Sequence, residues 1–143
     1  MKAFLDTSSL LKLYHYETGS EIVENFISKN VNEIFLSELT ILEFRSAIWR
    51  KVRENKIDHN IAIKAVFCFE NDYKKFRWIR LQSSIITRAS NLLMKYGNKG
   101  LRTLDSLQLS SALSLKKKSC IFLTSDNLLK SLFYEEKLNV FEQ

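Results

Sequence analysis

Short apolar runs at residues 2–6, 33–36, 77–81 and 120–124 are separated by longer stretches whose apolar residues recur at threes and fours. This alternation constrains the fold more than any other feature of the chain. Strands that alternate with helices form a parallel sheet covered on both faces. Right-handed crossovers then bring the carboxyl ends of all strands to one edge. With 3 Gly and no Pro in 143 residues, little interrupts regular structure, and the connections must be tight. The periodicity predicts helices over 8–15, 19–29, 38–54, 58–76, 84–96, 103–117 and 127–134, with a last short strand over 138–141. Asp58 suits the N-cap of its helix. Gly97 suits the residue just past a helix end, opening a loop over 97–100. The fold class is α/β, read as a single domain over 1–143. A domain of this length buries roughly 68–70% of its unfolded surface.

Composition narrows the function classes. At 45% hydrophobic and 27% charged, the chain reads as a soluble globular protein. No apolar run approaches the ~18 residues of a membrane helix. Asp6 and Lys12 interrupt any apolar leader at the start, so no membrane association and a cytoplasmic location are expected. The net charge of +6, from 22 basic and 16 acidic residues, attracts polyanions such as a phosphate backbone, although it also serves solubility. Cys68 and Cys120 are far apart and flanked by apolar residues, which predicts buried free thiols.

Four acids carry the chemistry: Asp6, Glu43, Asp105 and Asp126. Asp6 and Asp126 each follow a predicted strand, at the edge where α/β proteins bind ligands. Each also suits a helix N-cap, so structure alone could account for either. Asp105 falls in the first turn of its helix, with Thr103 as the expected cap. An acid gains about 0.3–1 kcal/mol there from the helix dipole. Leu109 and Ala112, at i+4 and i+7, place Asp105 on a stripe that faces protein. An inward carboxylate needs a charge partner or a metal. Glu43 lies mid-helix with Leu39 and Ala47 on its own face; Arg50, two turns away, is an imperfect partner. Four carboxylates brought together repel one another unless a cation intervenes. A divalent-metal site is therefore the first expectation.

Other chemistries lack their residues. His15 and His59 are isolated, and no His-Glu-x-x-His, Cys-x-x-Cys, nucleophile elbow, phosphate loop or dinucleotide fingerprint occurs. His15 reads as a helix-surface residue and His59 as a first-turn residue. The run Lys116-Lys117-Lys118 reads as the cationic end of a helix. Arg45, Arg50, Lys51 and Arg53 give the Glu43 helix a basic surface, which is either a solvated face or a phosphate track. A haloacid-dehalogenase-like phosphatase would need a second Asp two residues after Asp6, where Ser8 stands. A receiver-type phosphoacceptor would need a late Lys that cannot be identified.

The segments Phe4-Leu5-Asp6-Thr7-Ser8-Ser9-Leu10-Leu11-Lys12-Leu13-Tyr14, Glu17-Thr18-Gly19-Ser20-Glu21, Leu36-Ser37-Glu38-Leu39-Thr40-Ile41-Leu42-Glu43-Phe44, Leu104-Asp105-Ser106-Leu107-Gln108-Leu109-Ser110-Ser111-Ala112-Leu113 and Phe122-Leu123-Thr124-Ser125-Asp126 occur in that order. Together they resemble a PIN-domain ribonuclease, specifically a VapC-type toxin of a toxin–antitoxin pair. The resemblance spans essentially the whole chain. It implies a PIN-like three-layer fold with a central parallel sheet of about four to five short strands flanked by helices. It also implies a metal-dependent endoribonuclease that inhibits translation. Asp6 and Asp105 would be direct Mg²⁺ ligands, with Mn²⁺ as a substitute, and Glu43 and Asp126 would complete the catalytic cluster. Thr124 would support the acids from behind. The implied partners are an RNA substrate, a cognate antitoxin and a second copy in a homodimer. Trp49, Phe67 and Phe76 are either part of the antitoxin surface or ordinary core. Gln108 departs from the His that many relatives carry, and Ser106 and Ser110 from alanines. The alternative is a non-catalytic PIN-like module that binds RNA or protein.

Overall fold

A computed structural model of the chain describes residues 1–142. Four strands, β1 (Lys2–Leu5), β2 (Glu33–Ser37), β3 (Phe76–Ile79) and β4 (Cys120–Leu123), form one sheet in the order β3-β2-β1-β4. All three pairings are parallel, with Phe4 opposite Phe35 on one side and Phe122 on the other. Among the described residues seven α-helices flank them, six between strands and the last after β4: α1 (Thr7–Leu11), α2 (Ser20–Asn30), α3 (Leu39–Arg53), α4 (His59–Asn71), α5 (Ser83–Tyr96), α6 (Thr103–Leu113) and α7 (Asn127–Glu135). From β1 the chain moves one way to β2 and β3, and β4 is added on the other side of β1. The order therefore reverses between β1 and β4, which is where open α/β sheets form their ligand crevice.

The period-2 alternation of the strands sorts the core into two layers. Ala3, Leu5, Leu36, Phe76 and Leu123 face α1 to α4, meeting Val23, Phe44, Ile48, Ala65 and Phe69. Phe4, Cys120 and Phe122 face α5 to α7, meeting Leu92, Leu109, Ala112, Leu129 and Phe133. Phe69 is fully buried, with ring centroids 4.4 Å from Phe44 and 4.8 Å from Tyr73. Buried strands with helices on both faces are thus the arrangement that the alternation demands.

Several boundaries depart from expectation. Residues 138–141 form no strand; a single bridge joins Val140 to Phe122, so the sheet has four strands. The first helix ends at Leu11, and His15 falls beyond it in a turn. The fourth stops at Asn71, where Asp72 accepts from the Tyr14 hydroxyl (2.7 Å) and pairs with Lys75 (2.8 Å). A 3₁₀ turn over Tyr73–Lys75 then leads into β3. Gly97 keeps helical angles (φ −56°), and the left-handed residue is Gly100 (φ 97°), after a 3₁₀ turn. The sixth helix ends at Leu113 rather than 117. Ser111 and Ser114 turn their hydroxyls onto the carbonyls of Leu107 (2.8 Å) and Ser111 (2.6 Å), a pattern that competes with helix continuation. Lys116, Lys117 and Lys118 therefore lie past the helix, so the dipole does not explain them. Cys120 is buried but Cys68 is exposed, because the buried stripe of α4 runs through Ala62, Ala65 and Phe69. Thr103 does not cap α6; Arg102 holds the cap position without a side-chain bond.

Candidate active site

Each acid is delivered by a different part of the sheet's carboxyl edge. Asp6 follows β1, where its N–H donates to Leu123 O (3.2 Å), so the extended pairing runs up to the carboxylate itself. Its side chain caps α1 by accepting from Ser9 N (3.0 Å). Asp126 follows β4 and caps α7 by accepting from Leu129 N (2.7 Å). Glu43 projects from the second turn of α3, and Asp105 from the first turn of α6. All four line one open cavity of about 430 Å³, together with Thr7, Ser8, Gln108 and the apolar residues Leu11, Leu39, Leu42 and Leu104. Capping and cavity lining are therefore combined in Asp6 and Asp126.

Hydroxyls hold the buried members of the cluster. Asp6 is 4% exposed. Thr124 Oγ1 donates to its Oδ2 (2.6 Å), and Ser8 Oγ lies 2.8 and 2.9 Å from the two carboxylate oxygens. Thr124 also accepts from Asp126 N (3.1 Å), and Ser8 from Ser125 N (2.9 Å). These two bridges tie the β1–α1 turn to the β4–α7 turn. Glu43 accepts at Oε1 from Thr7 Oγ1 (2.8 Å) and from Gln108 Nε2 (2.7 Å). Arg50 is not its partner, because it pairs with Glu54 one turn on (2.8 Å).

Asp6, Glu43 and Asp105 are strained electrostatically. Burial pushes the Asp6 pKa up to about 6; bonds from Thr124, Ser9 and Ser8 oppose this, and the Asp126 charge adds to it. Burial also raises Glu43, against the bonds from Gln108 and Thr7, with a further push from Asp105. Asp105 is raised by burial and then by Asp126, and is held back by Arg102. Desolvation with mutual repulsion is the signature of a site that favours positive charge.

Ser8, Thr7 and Thr40 did not stand out in the sequence as functional residues, and Gln108 stood out only as a departure from the His that many relatives carry. The available signals were slight: Gln108 lies three residues after Asp105, on the same helical face, and Thr40 lies three before Glu43. The basic residues divide. Arg50 and Arg53 line the acidic cavity, whereas Arg45 pairs with Glu70 and Tyr73, and Lys51 with Glu17 (2.9 Å). Lys117 and Lys118 line a cavity with Met1, Lys2 and Glu33 at the amino ends of the strands, opposite the acids. Phe67 is exposed, Phe76 is core and Trp49 is half-buried against the core.

Among the described residues, no three His, Cys, Asp or Glu side chains converge tightly enough to enclose an ion. The donor set nevertheless fits Mg²⁺, which takes oxygen ligands, keeps several waters and commonly uses only one or two carboxylates. An open cavity of hard oxygen donors suits that ion better than a closed cage would. Asp6 and Asp105 could hold such an ion, and Glu43 and Asp126 line the same cavity.

No curated protein sequence matches the chain. Similar solved structures include the sarcin-ricin-loop-cleaving toxin VapC20 of Mycobacterium tuberculosis. It has 14% identity and a TM-score of 0.70, with 91% of this chain and 94% of that chain covered. VapBC2 of Rickettsia felis, solved bound to a DNA fragment from its promoter, has 13% identity and a TM-score of 0.65, covering 100% and 99%. VapBC-1 of nontypeable Haemophilus influenzae has 15% identity and a TM-score of 0.65, covering 99% and 98%. At these identities the likeness is one of fold. The profile of the PIN domain matches residues 3–132. With that match extending over most of the chain and over all four acids, the protein belongs to the PIN domain family.

Proposed function

We propose that residues 1–143 act as one Mg²⁺- or Mn²⁺-dependent endoribonuclease, the toxin of a type II toxin–antitoxin pair that inhibits translation. The observation that carries this reading is the meeting of four carboxylates, from β1, α3, α6 and β4, in one cavity at the point where the strand order reverses. Bound there, a divalent cation would supply positive charge beside the scissile phosphate and acidify a water. The protein's part is positional. Asp6 is held on both oxygens by Thr124, Ser8 and Ser9, so its charge is kept at a set point at the cavity floor. Asp126 and Glu43 are the groups placed to orient, or take a proton from, an attacking water. Arg50 and Arg53 at the cavity wall suit the flanking phosphates.

The neighbour from Mycobacterium tuberculosis is a sarcin-ricin-loop-cleaving toxin, and a structure from Klebsiella pneumoniae is a toxin–antitoxin complex. For this chain we infer an RNA substrate, a cognate antitoxin and a homodimer. Leu42, at the cavity that the acids line, and Phe67, on α4, are 66% and 61% exposed and offer an antitoxin apolar surface, from which it would insert a basic side chain among the acids.

The test is cleavage of an end-labelled RNA pool by purified protein in Mg²⁺. Products should appear with the wild type, disappear with EDTA, and be absent with Asp6→Asn and Asp105→Asn. Full activity in either variant, or cleavage that ignores EDTA, contradicts the assignment. RNA binding without cleavage under any metal would favour a non-catalytic module.

A further inference from the structure

Gln108 sits buried beneath the cavity and joins three elements. Its Nε2 lies 2.7 Å from Glu43 Oε1 and 3.0 Å from Thr40 Oγ1, both on α3, and 3.2 Å from Thr7 Oγ1 on α1. Thr7 and Thr40 are themselves 3.2 Å apart. The hydrogens of this group can be placed by counting. The single hydroxyl hydrogen of Thr7 goes to Glu43 Oε1, so Thr40 must donate to Thr7. One amide hydrogen of Gln108 goes to the same Oε1, and the other is shared between the two threonines. Every donor therefore leads toward one carboxylate oxygen. Oε1 receives both of these bonds and Oε2 neither of them, and the residue lines the cavity.

A second observation shows what this arrangement serves. Gln108 Oε1 is buried with no hydrogen-bond partner. Turning the amide over would put its NH₂ at that partnerless position, leaving two donors unmet in place of one acceptor. It would also press a carbonyl oxygen against Glu43 Oε1, where an N–H now stands. The orientation seen leaves one acceptor unmet and keeps a donor on Glu43.

We infer that Gln108 and Thr7 are positioning residues that immobilise Glu43 through Oε1, so that it meets a divalent cation or its hydrating water through Oε2 alone. This rests on the reading of the cavity as a metal-dependent nuclease site. Without the two donors the Glu43 side chain regains rotational freedom, and an ion bound in the cavity would no longer meet a carboxylate oxygen held at a set point. Residues that orient a ligand from behind typically govern affinity or activity by about 10–100-fold.

The test uses Mn²⁺ alone as the probe. Its dissociation constant is measured by titration calorimetry on the full chain, alongside kcat and KM for RNA. Gln108→Leu and Thr7→Val keep the shape and remove the donor. Each should weaken Mn²⁺ by about tenfold and lower kcat with KM unchanged. Thr7→Ser and Gln108→His restore a donor and should return both quantities toward wild type, which a purely structural role would not do. Circular dichroism identifies a variant that does not fold, and the Thr7 pair then decides alone, because Val and Ser differ from Thr by one group. Wild-type Mn²⁺ affinity in both Gln108→Leu and Thr7→Val overturns the positioning role while leaving the nuclease reading intact. A wild-type protein that takes up no Mn²⁺ overturns both.

Discussion

Asp6 shows how one residue carries two demands. Its carboxylate closes the first turn of α1 through Ser9 and is also the most deeply buried of the four acids, at 4% exposed. Burial raises its pKa to about 6, so the native protein binds this proton more tightly than the unfolded chain does. Between pH 4 and 6 the native state holds more protons, and stability falls as pH rises. The loss is complete above about 6 and amounts to about 3 kcal/mol. Denaturant unfolding in EDTA should show this decline from pH 4 to 7. Asp6→Asn should remove that component, leaving the metal-free fold at least as stable at neutral pH while cleavage is lost. An unchanged pH profile in Asp6→Asn would contradict the burial argument. Asp6 and Asp126 were legible in the sequence because one stands directly after a strand and the other in the short turn that follows one. Thr40 was not, and Gln108 only as a departure from the His that many relatives carry, since a polar residue on a helix face reads as surface until the facing helix is known.

At the level of elements, alternation of strand and helix was legible and helix ends were not. Ends depend on groups brought in from elsewhere: Tyr14 reaching Asp72 stops α4, and serine hydroxyls weaken the end of α6. Asp58 was legible because capping is local, and its carboxylate accepts from Ile61 N (2.8 Å). Asp58→Ala should cost about 1 kcal/mol of stability and leave cleavage unchanged, as measured by urea unfolding and an RNA assay. Phe69→Ala, which empties the centre of the aromatic cluster behind α3, should cost roughly 3–5 kcal/mol. A loss below about 1 kcal/mol would mean that the cluster is not packed as described. α3 also carries Glu43, so this variant ties the core to the geometry of the site.

Across the molecule, the net charge of +6 is less informative than its distribution. Arg50 and Arg53 stand at the acidic cavity, while Lys117 and Lys118 lie at the opposite edge of the sheet. Replacing both arginines by Gln should raise KM for RNA and reduce its salt dependence by roughly 0.7 in log–log slope for each phosphate no longer neutralised. Replacing both lysines by Gln should leave KM and the slope unchanged. The reverse outcome would move the RNA track to the other edge. Composition could not separate these two groups, because only the strand order tells which loops share an edge. That order also brings together acids as far apart in the chain as Asp6 and Asp126.

Whether these carboxylates share one divalent cation site is decided by anomalous diffraction from crystals soaked in Mn²⁺. A peak should appear in the cavity, roughly 2.1 Å from an oxygen of Asp6 or Asp105, and should be lost in Asp105→Asn. Crystals at saturating Mn²⁺ with no peak between these residues, or with the ion bound only elsewhere, would contradict the shared site.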